Sequence, residues 1–337
     1  MITTRTPFRI SFFGGGTDYP VFYREHGGAV LSTTINKYCY ITVRYLPPFF
    51  NYTYRLRYTK TETTNSIDAI QHPSVRECLK FCRLRHGIEM VHTSDIPALS
   101  GIGSSSAFTV GLLHAFYGLQ GRMASKRKLG MDAISVEQDW IGESVGSQDQ
   151  IAAAFGGFNK IVFEKNSTIT VHPLTVKKEN LAYLQRCLMF YFTGFSRYAS
   201  EIAETQIRET PKKVRELMEM RSFVDDAVAL LSGSERSLNA FGKLLHESWM
   251  IKRELTNKIS TREIDEIYEH AIAAGALGGK VCGAGGGGFL VFFVPPENQP
   301  QVRKALKNFL LVPVDFDHLG SHVVFYAPEE PIDCTNP

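Results

Sequence analysis

The segment Pro97-Ala-Leu-Ser-Gly-Ile-Gly-Ser-Ser-Ser-Ala107 joins a predicted strand, residues 87–93, to a predicted helix that runs from about Ser104 to Gly118. Glycines permit positive φ and close backbone approach, and a helix start offers unpaired N–H groups at the positive end of its dipole. The helix is apolar nearly all round (AFTVGLLHAFYGL), which predicts a central, buried position. The segment therefore predicts a phosphate-binding loop at the start of a core helix.

Other interpretations of this segment are weaker. A serine N-cap, which stabilises a helix by about 1 kcal/mol, requires one serine, whereas three follow two glycines here. The P-loop signature needs a Gly-Lys-Ser/Thr tripeptide, and the chain contains none. Gly101, Gly103 and Ser106 match the looser dinucleotide fingerprint, but their helix leads into another helix. A second match, within residues 280–289, precedes a strand where a helix is required, so a nicotinamide or flavin site is disfavoured.

Bulk composition narrows the class of protein. A length of 337 residues favours two domains, and 44% hydrophobic with 21% charged residues is typical of a soluble globular protein. The net charge of +3, from 37 basic and 34 acidic residues, argues against a nucleic-acid partner. The sequence shows no secretory segment and no membrane-spanning run; its longest apolar stretch, residues 289–294, is strand-sized. Six scattered cysteines favour buried free thiols in a reducing cytoplasm.

Strand-like and helix-like stretches alternate without repeats, which predicts an α+β chain whose two domains meet near residues 175–190. A helix over 125–141 has an apolar stripe that ends at Trp140, and a capping box at Ser260-Thr261-Arg262-Glu263 predicts a helix reaching Gly278. Further predictions are separate strands at 29–35 and 38–45, a surface connection at 177–180, a buried strand within 186–194 and long helices through 200–256.

Three acidic residues lie where carboxylates have chemical uses. Glu137 follows Ala133 by four residues on its predicted helix and so faces the apolar side, where an unpaired carboxylate is rare. Asp149 lies after a glycine turn in GSQDQ, and Asp18 lies in GTDYP. The alternatives are a salt bridge for Glu137, a helix N-cap for Asp149 and a local turn for Asp18.

Three glycine-rich segments occur in a fixed order: PFRISFFGGGTDYP at 7–20, PALSGIGSSSA at 97–107 and KVCGAGGGGF at 280–289. In this order they resemble the three motifs of the GHMP kinase superfamily, which is named for galactokinase, homoserine kinase, mevalonate kinase and phosphomevalonate kinase. The resemblance implies an N-terminal domain, residues 1–180, like the second domain of ribosomal protein S5. It implies a ferredoxin-like C-terminal domain, residues 181–337, with the active site between the two.

The resemblance also assigns roles, with ATP and Mg²⁺ as cofactors. Ser105 and Glu137 match magnesium ligands, and Asp149 matches the catalytic base, with Arg9 as the basic residue beside it. The implied ATP-binding residues are Pro97, Gly101, Gly103, Ser104, Ser105, Ser106 and Ala107. The implied substrate-binding residues are Gly15, Gly16, Thr17, Asp18, Gly285 and Gly286.

The first motif departs from that of galactokinases, which carry Glu-His where this chain has Gly15 and Gly16. The departure implies a wider pocket and argues against galactose. FFGGGTDYP, GIGSSSAF and VGSQDQ together resemble bacterial heptose kinases, which phosphorylate D-glycero-D-manno-heptose 7-phosphate at the anomeric hydroxyl. Such a substrate needs a cation for its phosphate, and Arg197, after a predicted strand, is the candidate; a solvated surface arginine is the alternative.

Other functions on the same fold stay open. They are a kinase for a fucose- or galactose-like sugar or a non-sugar alcohol, and a catalytically silent protein that binds nucleotide or sugar. The expected partner is a small-molecule sugar or sugar phosphate, with no nucleic acid and no membrane, in the cytoplasm. The resemblance also allows a homodimer.

Overall fold

The computed structural model describes residues 1–98, 100–194, 199–233, 235–328 and 330–331, with the backbone alone for 199, 200, 235 and 236. The strands are β1 (Ile2–Phe13), β2 (Gly28–Tyr45), β3 (Tyr54–Arg57), β4 (Thr61–Thr64), β5 (Ile88–Ser94), β6 (Phe158–Phe163), β7 (Ile169–Pro173), β8 (Leu188–Phe192), β9 (Gly278–Val281), β10 (Phe289–Phe293), β11 (Leu310–Leu311), β12 (Phe316–Asp317) and β13 (His322–Tyr326). The α-helices are α1 (Pro20–His26), α2 (Pro73–Phe81), α3 (Ser104–Leu119), α4 (Lys126–Ser135), α5 (Gln148–Phe155), α6 (Lys178–Cys187), α7 (Ala199–Glu209), α8 (Val214–Leu231), α9 (Glu235–Arg253), α10 (Arg262–Ala273) and α11 (Gln299–Ala305).

The larger sheet is organised around β2. Its strand order is β13-β1-β2-β5-β3-β4, with β12 and β6 also paired to β2, and β7 paired to β6. Residues 28–33 of β2 pair with β6 and residues 39–45 pair with β5. The prediction of two separate strands is therefore wrong. The backbone stays extended between them because the Asn36 N–H donates to the Asp315 carbonyl at 2.8 Å.

The helix that follows the glycine-serine loop, α3, lies against β1 and β2. Most of its residues are buried, which confirms the central position predicted from its apolar composition. It also contacts α5, which likewise lies against β1 and β2, and α4, which packs on α3 and α5. The loop at the N-terminus of α3 is consequently attached to a rigid core element.

The smaller sheet, in the order β11-β8-β10-β9, belongs to the second half of the chain. The two halves share one hydrophobic core, in which the Phe241 ring of α9 meets the Phe13 ring edge-on at 5.1 Å. Lys280 on β9 donates a hydrogen bond to the Ser11 carbonyl of β1 at 2.6 Å. The end of the chain returns to the larger sheet, where β12 and β13 pair with β2 and β1. The division at residues 180 and 181 remains a prediction.

The predicted helix over 125–141 changes type near its end. After α4 the chain forms a π-helical turn, Val136–Ile141. Because a π turn holds more residues than an α turn, side chains beyond it rotate relative to the α-helical pattern. Trp140 is therefore 47% exposed, and its place in the apolar stripe was wrong, whereas Glu137 is buried as predicted.

Two predicted boundaries also differ. The surface connection predicted at 177–180 is wrong, because α6 begins at Lys178. The N-cap of α10 is Thr261, whose hydroxyl accepts from the Ile264 N–H at 3.4 Å, and the helix ends at Ala273 rather than at the glycines.

Five cysteines are buried, and Cys334 lies outside the described residues; the five are Cys39, Cys78, Cys82, Cys187 and Cys282. None of the helices in the described ranges combines the length and apolar character needed to cross a bilayer.

Candidate active site

The glycine-serine loop ends in an uncapped helix. The N-cap of α3 is Gly103, which has φ of 75° and offers no side-chain cap. The serine N-cap considered from the sequence is thus absent. The backbone N–H groups of the first turn, at Ser104, Ser105 and Ser106, remain available to a ligand, while the Ala107 N–H bonds to the Gly103 carbonyl at 2.9 Å. An uncapped helix start without an acidic residue in its first turn suits an anion.

The backbone of the third glycine segment packs directly against this loop. A Cβ on Gly283 would lie 2.4 Å from the Gly101 carbonyl oxygen, and one on Gly288 would lie 2.2 Å from that of Ser100. Glycine is required at both positions because the two backbones touch. The dinucleotide interpretation fails in the structure too, since β10 follows the third segment and α4 follows α3.

Glu137 is the buried acid beside the loop, at 1% exposure. Its Oε2 accepts hydrogen bonds from the Ser106 hydroxyl, at 2.9 Å, and from the Gln150 amide. Burial raises the pKa of Glu137 to about 7. Its other oxygen, Oε1, accepts no hydrogen bond from the described residues. The salt-bridge alternative is not realised within those residues. Glu137 lines neither cavity, and its link to the helix start is the hydrogen bond from Ser106.

Arg9 and Asp149 form a bidentate ion pair between β1 and α5. Arg9 donates from Nε and Nη2 to the two Asp149 oxygens, each at 2.7 Å, and from Nη1 to the Gly101 carbonyl at 2.9 Å. Asp149 is not the N-cap of α5, because that position is Ser147. The Arg9 side chain is buried, while that of Asp149 is 25% exposed and borders a cavity. A carboxylate is thereby fixed in orientation beside the helix start.

In the first motif the predicted residues separate into two groups. Thr17 is fully buried and does not line the cavity. Its hydroxyl oxygen lies 2.8 and 2.9 Å from the carbonyls of Gly14 and Ala29, which share its one proton, and it accepts from the Ala29 N–H at 3.1 Å, so it holds the motif together. Asp18 does line the cavity, and its Oδ1 accepts from the Gly16 N–H at 2.9 Å. The local turn considered from the sequence is therefore present, and it leaves Oδ2 beside Gly146. Burial raises the pKa of Asp18.

One cavity joins the helix start, the ion pair and the first motif. Its lining residues are Arg9, Gly15, Gly16, Asp18, Tyr19, Gly101, Gly103, Ser104, Ser105, Ser106, Ser144, Val145, Gly146, Gln148, Asp149, Ala203, Gln206, Lys252, Gly283 and Ala284. This cavity is called the catalytic cavity below.

A second, largely apolar cavity adjoins the catalytic cavity at Ser104 and Ser105. Its wall includes Phe108, on which the His72 ring stacks at 4.7 Å. Burial lowers the pKa of His72 to about 4, so this ring is neutral at physiological pH. The second cavity is thus flat-sided, aromatic and uncharged at the His72 wall, which suits a planar base.

Several residues expected at the site lie elsewhere. Pro97 and Ala107 line neither cavity. Gly285 and Gly286 lie against Ile259, whose carbonyl accepts from the Gly286 N–H at 2.8 Å, so their predicted substrate contact is not seen in the catalytic cavity. Arg197 falls outside the described residues.

The cavity residues that were missed from the sequence include three with long polar side chains: Gln148, Gln206 and Lys252. The sequence does contain one indication that Lys252 is buried. It follows buried Trp249 by three residues and so lies on the apolar face of α9. No comparable pattern marks the two glutamines.

Comparisons with known proteins agree with this geometry. Residues 70–157 match the GHMP kinases N terminal domain, and residues 227–310 match GHMP kinases C terminal. A D-glycero-alpha-D-manno-heptose 7-phosphate kinase of Campylobacter jejuni is 30% identical over 317 residues, which cover 91% of this chain and 93% of the relative. A galactokinase of Pyrococcus furiosus is 24% identical over 345 residues, covering 90% of this chain and 92% of the relative.

Among solved structures, a D-glycero-D-manno-heptose 1-phosphate kinase from Bacteroides thetaiotaomicron superposes with a TM-score of 0.78 at 25% identity. The match covers 97% of this chain and all of that one, at 100%. One assignment follows from both family models, from a relative matched along nearly its whole length and from the shared fold. The chain belongs to the GHMP kinase family.

Proposed function

We propose that this kinase transfers the γ-phosphoryl group of ATP to the anomeric hydroxyl of a phosphorylated heptose, D-glycero-D-manno-heptose 7-phosphate. The observation that carries the proposal is the catalytic cavity, which brings an uncapped helix N-terminus and the Arg9–Asp149 ion pair together. The first feature suits a phosphate and the second suits a reacting hydroxyl.

The two cavities that meet at Ser104 and Ser105 would bind the two parts of the phosphate donor. The triphosphate would bind the N–H groups of the first turn of α3, where backbone and helix dipole both favour negative charge. The adenine base would occupy the second cavity, against a wall that includes the stacked rings of His72 and Phe108. The two hydroxyl-bearing residues at the junction belong to both cavities, so base and phosphates can be bound at once.

The residues near the helix start fit a hard divalent cation. Glu137 presents an oxygen without a hydrogen bond from the described residues, and Ser105 is exposed in the cavity. With two protein oxygens as ligands, the other coordination positions of the ion would be filled by phosphate oxygens and water, as Mg²⁺ prefers. When bound, the cation would neutralise charge on the phosphates. The Ser106 hydroxyl, which bonds to Glu137, would orient the carboxylate.

In the transfer, the acceptor oxygen forms a bond to the γ-phosphorus while the bond to the β,γ-bridging oxygen breaks. ADP leaves with that electron pair, and the hydroxyl proton passes to the Asp149 carboxylate and then to solvent. Arg9 holds both Asp149 oxygens, so the carboxylate keeps one orientation toward the acceptor. Phosphoryl transfer depends mainly on such positioning and on neutralised charge.

The acceptor side of the cavity suits a molecule with several hydroxyl groups. Gln148 Oε1 and Gln206 Nε2 are buried polar atoms that form no hydrogen bond with the described residues. Asp18 adds a buried carboxylate, and Gly15 and Gly16 contribute no side chains. Sugar hydroxyls would satisfy these groups, because buried polar atoms without partners are costly.

The choice of a phosphorylated heptose is supported by the two heptose phosphate kinases that the chain resembles over most of its length. Those relatives are named for different phosphate positions, so both esters belong in the test. Arg197 remains the proposed ligand of the sugar phosphate. Its replacement in Arg197→Ala should raise KM for a phosphorylated sugar and leave KM for its unphosphorylated form unchanged.

The test is an ADP-release screen of the purified chain with ATP and Mg²⁺ across hexoses, heptoses, heptose 7-phosphate and heptose 1-phosphate. We expect the highest kcat/KM for heptose 7-phosphate, with a product whose new phosphorus resonance couples to the anomeric proton. A preference for a fucose- or galactose-like sugar, or for a non-sugar alcohol, would replace the substrate assignment. ATP binding without turnover on any acceptor would support the silent, ligand-binding alternative.

Gln206 offers a specific check of the acceptor site. It is 3% exposed, and its amide nitrogen lies 2.5 Å from where a Cβ on Gly16 would be. Gln206→Leu should raise the sugar KM about fivefold, since one hydrogen bond to an uncharged group contributes about 1 kcal/mol. ATP KM and thermal stability should stay close to wild type, because the amide nitrogen has no partner among the described residues.

The control for this variant is Gln301→Leu, which changes an exposed glutamine on α11 that lines neither cavity. It should leave both KM values unchanged. An equal rise of the ATP and sugar KM values in Gln206→Leu would contradict a role in acceptor binding.

A further inference from the structure

Lys252 is a buried cation in the catalytic cavity for which the kinase motifs provide no role. It lies in the last turn of α9 and is 5% exposed. Its Nζ donates to the Gly283 carbonyl at 2.8 Å, and no other hydrogen bond from this ammonium group is found within the described parts of the chain. Since an ammonium has three N–H donors, two remain for a ligand.

The ammonium group lies between the donor and acceptor sides of the cavity. On one side, its partner Gly283 touches the backbone of Gly101 in the phosphate loop. On the other side, a Cβ on Gly15 would lie 3.5 Å from Nζ, and the Asp18 charge acts on Lys252. The group that moves from donor to acceptor must pass through this region.

Arg9, the other cation that lines the cavity among the described residues, is largely engaged. Three of its five N–H groups bind Asp149 and Gly101. Its charge is also matched by the Asp149 carboxylate. Lys252 is therefore the protein cation with most of its N–H groups left for the negative charge that spreads over the oxygens of a transferring phosphoryl group, beside the proposed divalent cation.

We propose that Lys252 is a catalytic residue, which donates hydrogen bonds from Nζ to oxygens of the transferring phosphoryl group. The proposal rests on the proposed phosphoryl transfer and adds a residue from the second half of the chain to it. A purely structural lysine, which ties α9 to the third glycine segment, is the competing explanation. Lys252 forms no salt bridge within the described residues, and burial disfavours its charged form. Its replacement by an apolar side chain should therefore cost little stability, whereas catalysis would suffer strongly.

The experiment compares Lys252→Met and Lys252→Arg with Lys243→Met, which changes an exposed lysine on the same helix. Lys252→Met should lower kcat about 100-fold, as loss of one preorganised donor does. Its affinity for ADP should stay within about threefold, and its Tm within a few degrees of wild type. Lys252→Arg should recover part of the rate, and Lys243→Met should match wild type.

A second readout needs no sugar. ADP, Mg²⁺ and aluminium fluoride together mimic the transferring phosphoryl group, and the wild-type chain should bind them more tightly than ADP alone. Lys252→Met should lose most of that gain. If the wild-type chain phosphorylates no acceptor, the proposed function fails while this measurement still tests Lys252. The proposal is overturned if the variant keeps the gain, keeps wild-type kcat, or loses ADP affinity and Tm in parallel with rate.

The pH profile provides a third check. Burial lowers the pKa of Lys252 to about 8, so the ammonium loses its proton above that pH. The wild-type kcat/KM should therefore fall above pH 8, whereas in Lys252→Arg this fall should vanish because guanidinium stays charged. The charged or titratable groups that act on Lys252 are Arg9, Asp18, Asp149, Lys280 and Cys282. If kcat/KM still falls above pH 8 in Lys252→Arg, the fall is caused by one of these other groups and not by Lys252.

Discussion

Replacement of Asp149 by asparagine is expected to lower kcat about 10³-fold, because the amide cannot accept the proton of the attacking hydroxyl. The substitution preserves the shape of the side chain. It places an NH₂ group opposite one of the two Arg9 donors that now bind the carboxylate at 2.7 Å. A buried donor left without an acceptor costs about 1–3 kcal/mol, so Tm should fall by several degrees.

The measurement must separate this loss of stability from the loss of catalysis. ATP affinity of Asp149→Asn, measured well below its Tm, should stay within about threefold of wild type, because the proposed phosphate contacts are backbone N–H groups at the start of α3. Asp226→Asn, an exposed aspartate on α8, is the matched control and should keep wild-type kcat and Tm. If Asp149→Asn retains more than about a tenth of wild-type kcat, another group accepts the proton.

The sequence alone was sufficient to predict those features of the site that depend on one local segment. Residues 97–107 predicted a phosphate loop on a buried helix, and the structure has an uncapped α3 N-terminus there. Glu137 was placed on the buried face by its spacing from Ala133, and it stays buried as the second residue of the π turn, before the change in pitch has accumulated. Beyond that point the same reasoning failed for Trp140.

The sequence was insufficient where a site depends on segments that are distant along the chain. Gln206 and Lys252 reach the catalytic cavity from α7 and α9, and their position depends on how the second half of the chain covers the first. Conversely, Thr17 has the right neighbours in sequence but its hydroxyl binds Gly14 and Ala29. A motif therefore locates a site, while tertiary contacts decide which of its side chains face the ligand.

Replacement of Glu137 by glutamine is expected to weaken the apparent affinity for Mg²⁺ about 100-fold, since a neutral amide would replace the proposed carboxylate ligand. Burial raises the pKa of Glu137 to about 7, so protons compete with the cation in the wild-type chain. The wild-type apparent affinity for Mg²⁺ should fall about tenfold per unit as the pH drops below 7, and level off above 8. In Glu137→Gln this dependence should disappear.

Without Mg²⁺, the stability of the folded chain should change with pH in the direction opposite to the Mg²⁺ affinity. This difference distinguishes a metal ligand from a purely structural acid. The folded-state pKa of Glu137 lies above its ordinary value of 4.5, so without Mg²⁺ its contribution to stability is complete below pH 4.5 and is lost as the pH rises through 7. At pH 8 without the cation, Glu137→Gln should therefore unfold at the same or a higher temperature than wild type. Glu247→Gln, an exposed acid on α9, should change neither quantity. An unchanged magnesium titration in Glu137→Gln would exclude Glu137 as the ligand, because the amide removes the charge that the cation requires.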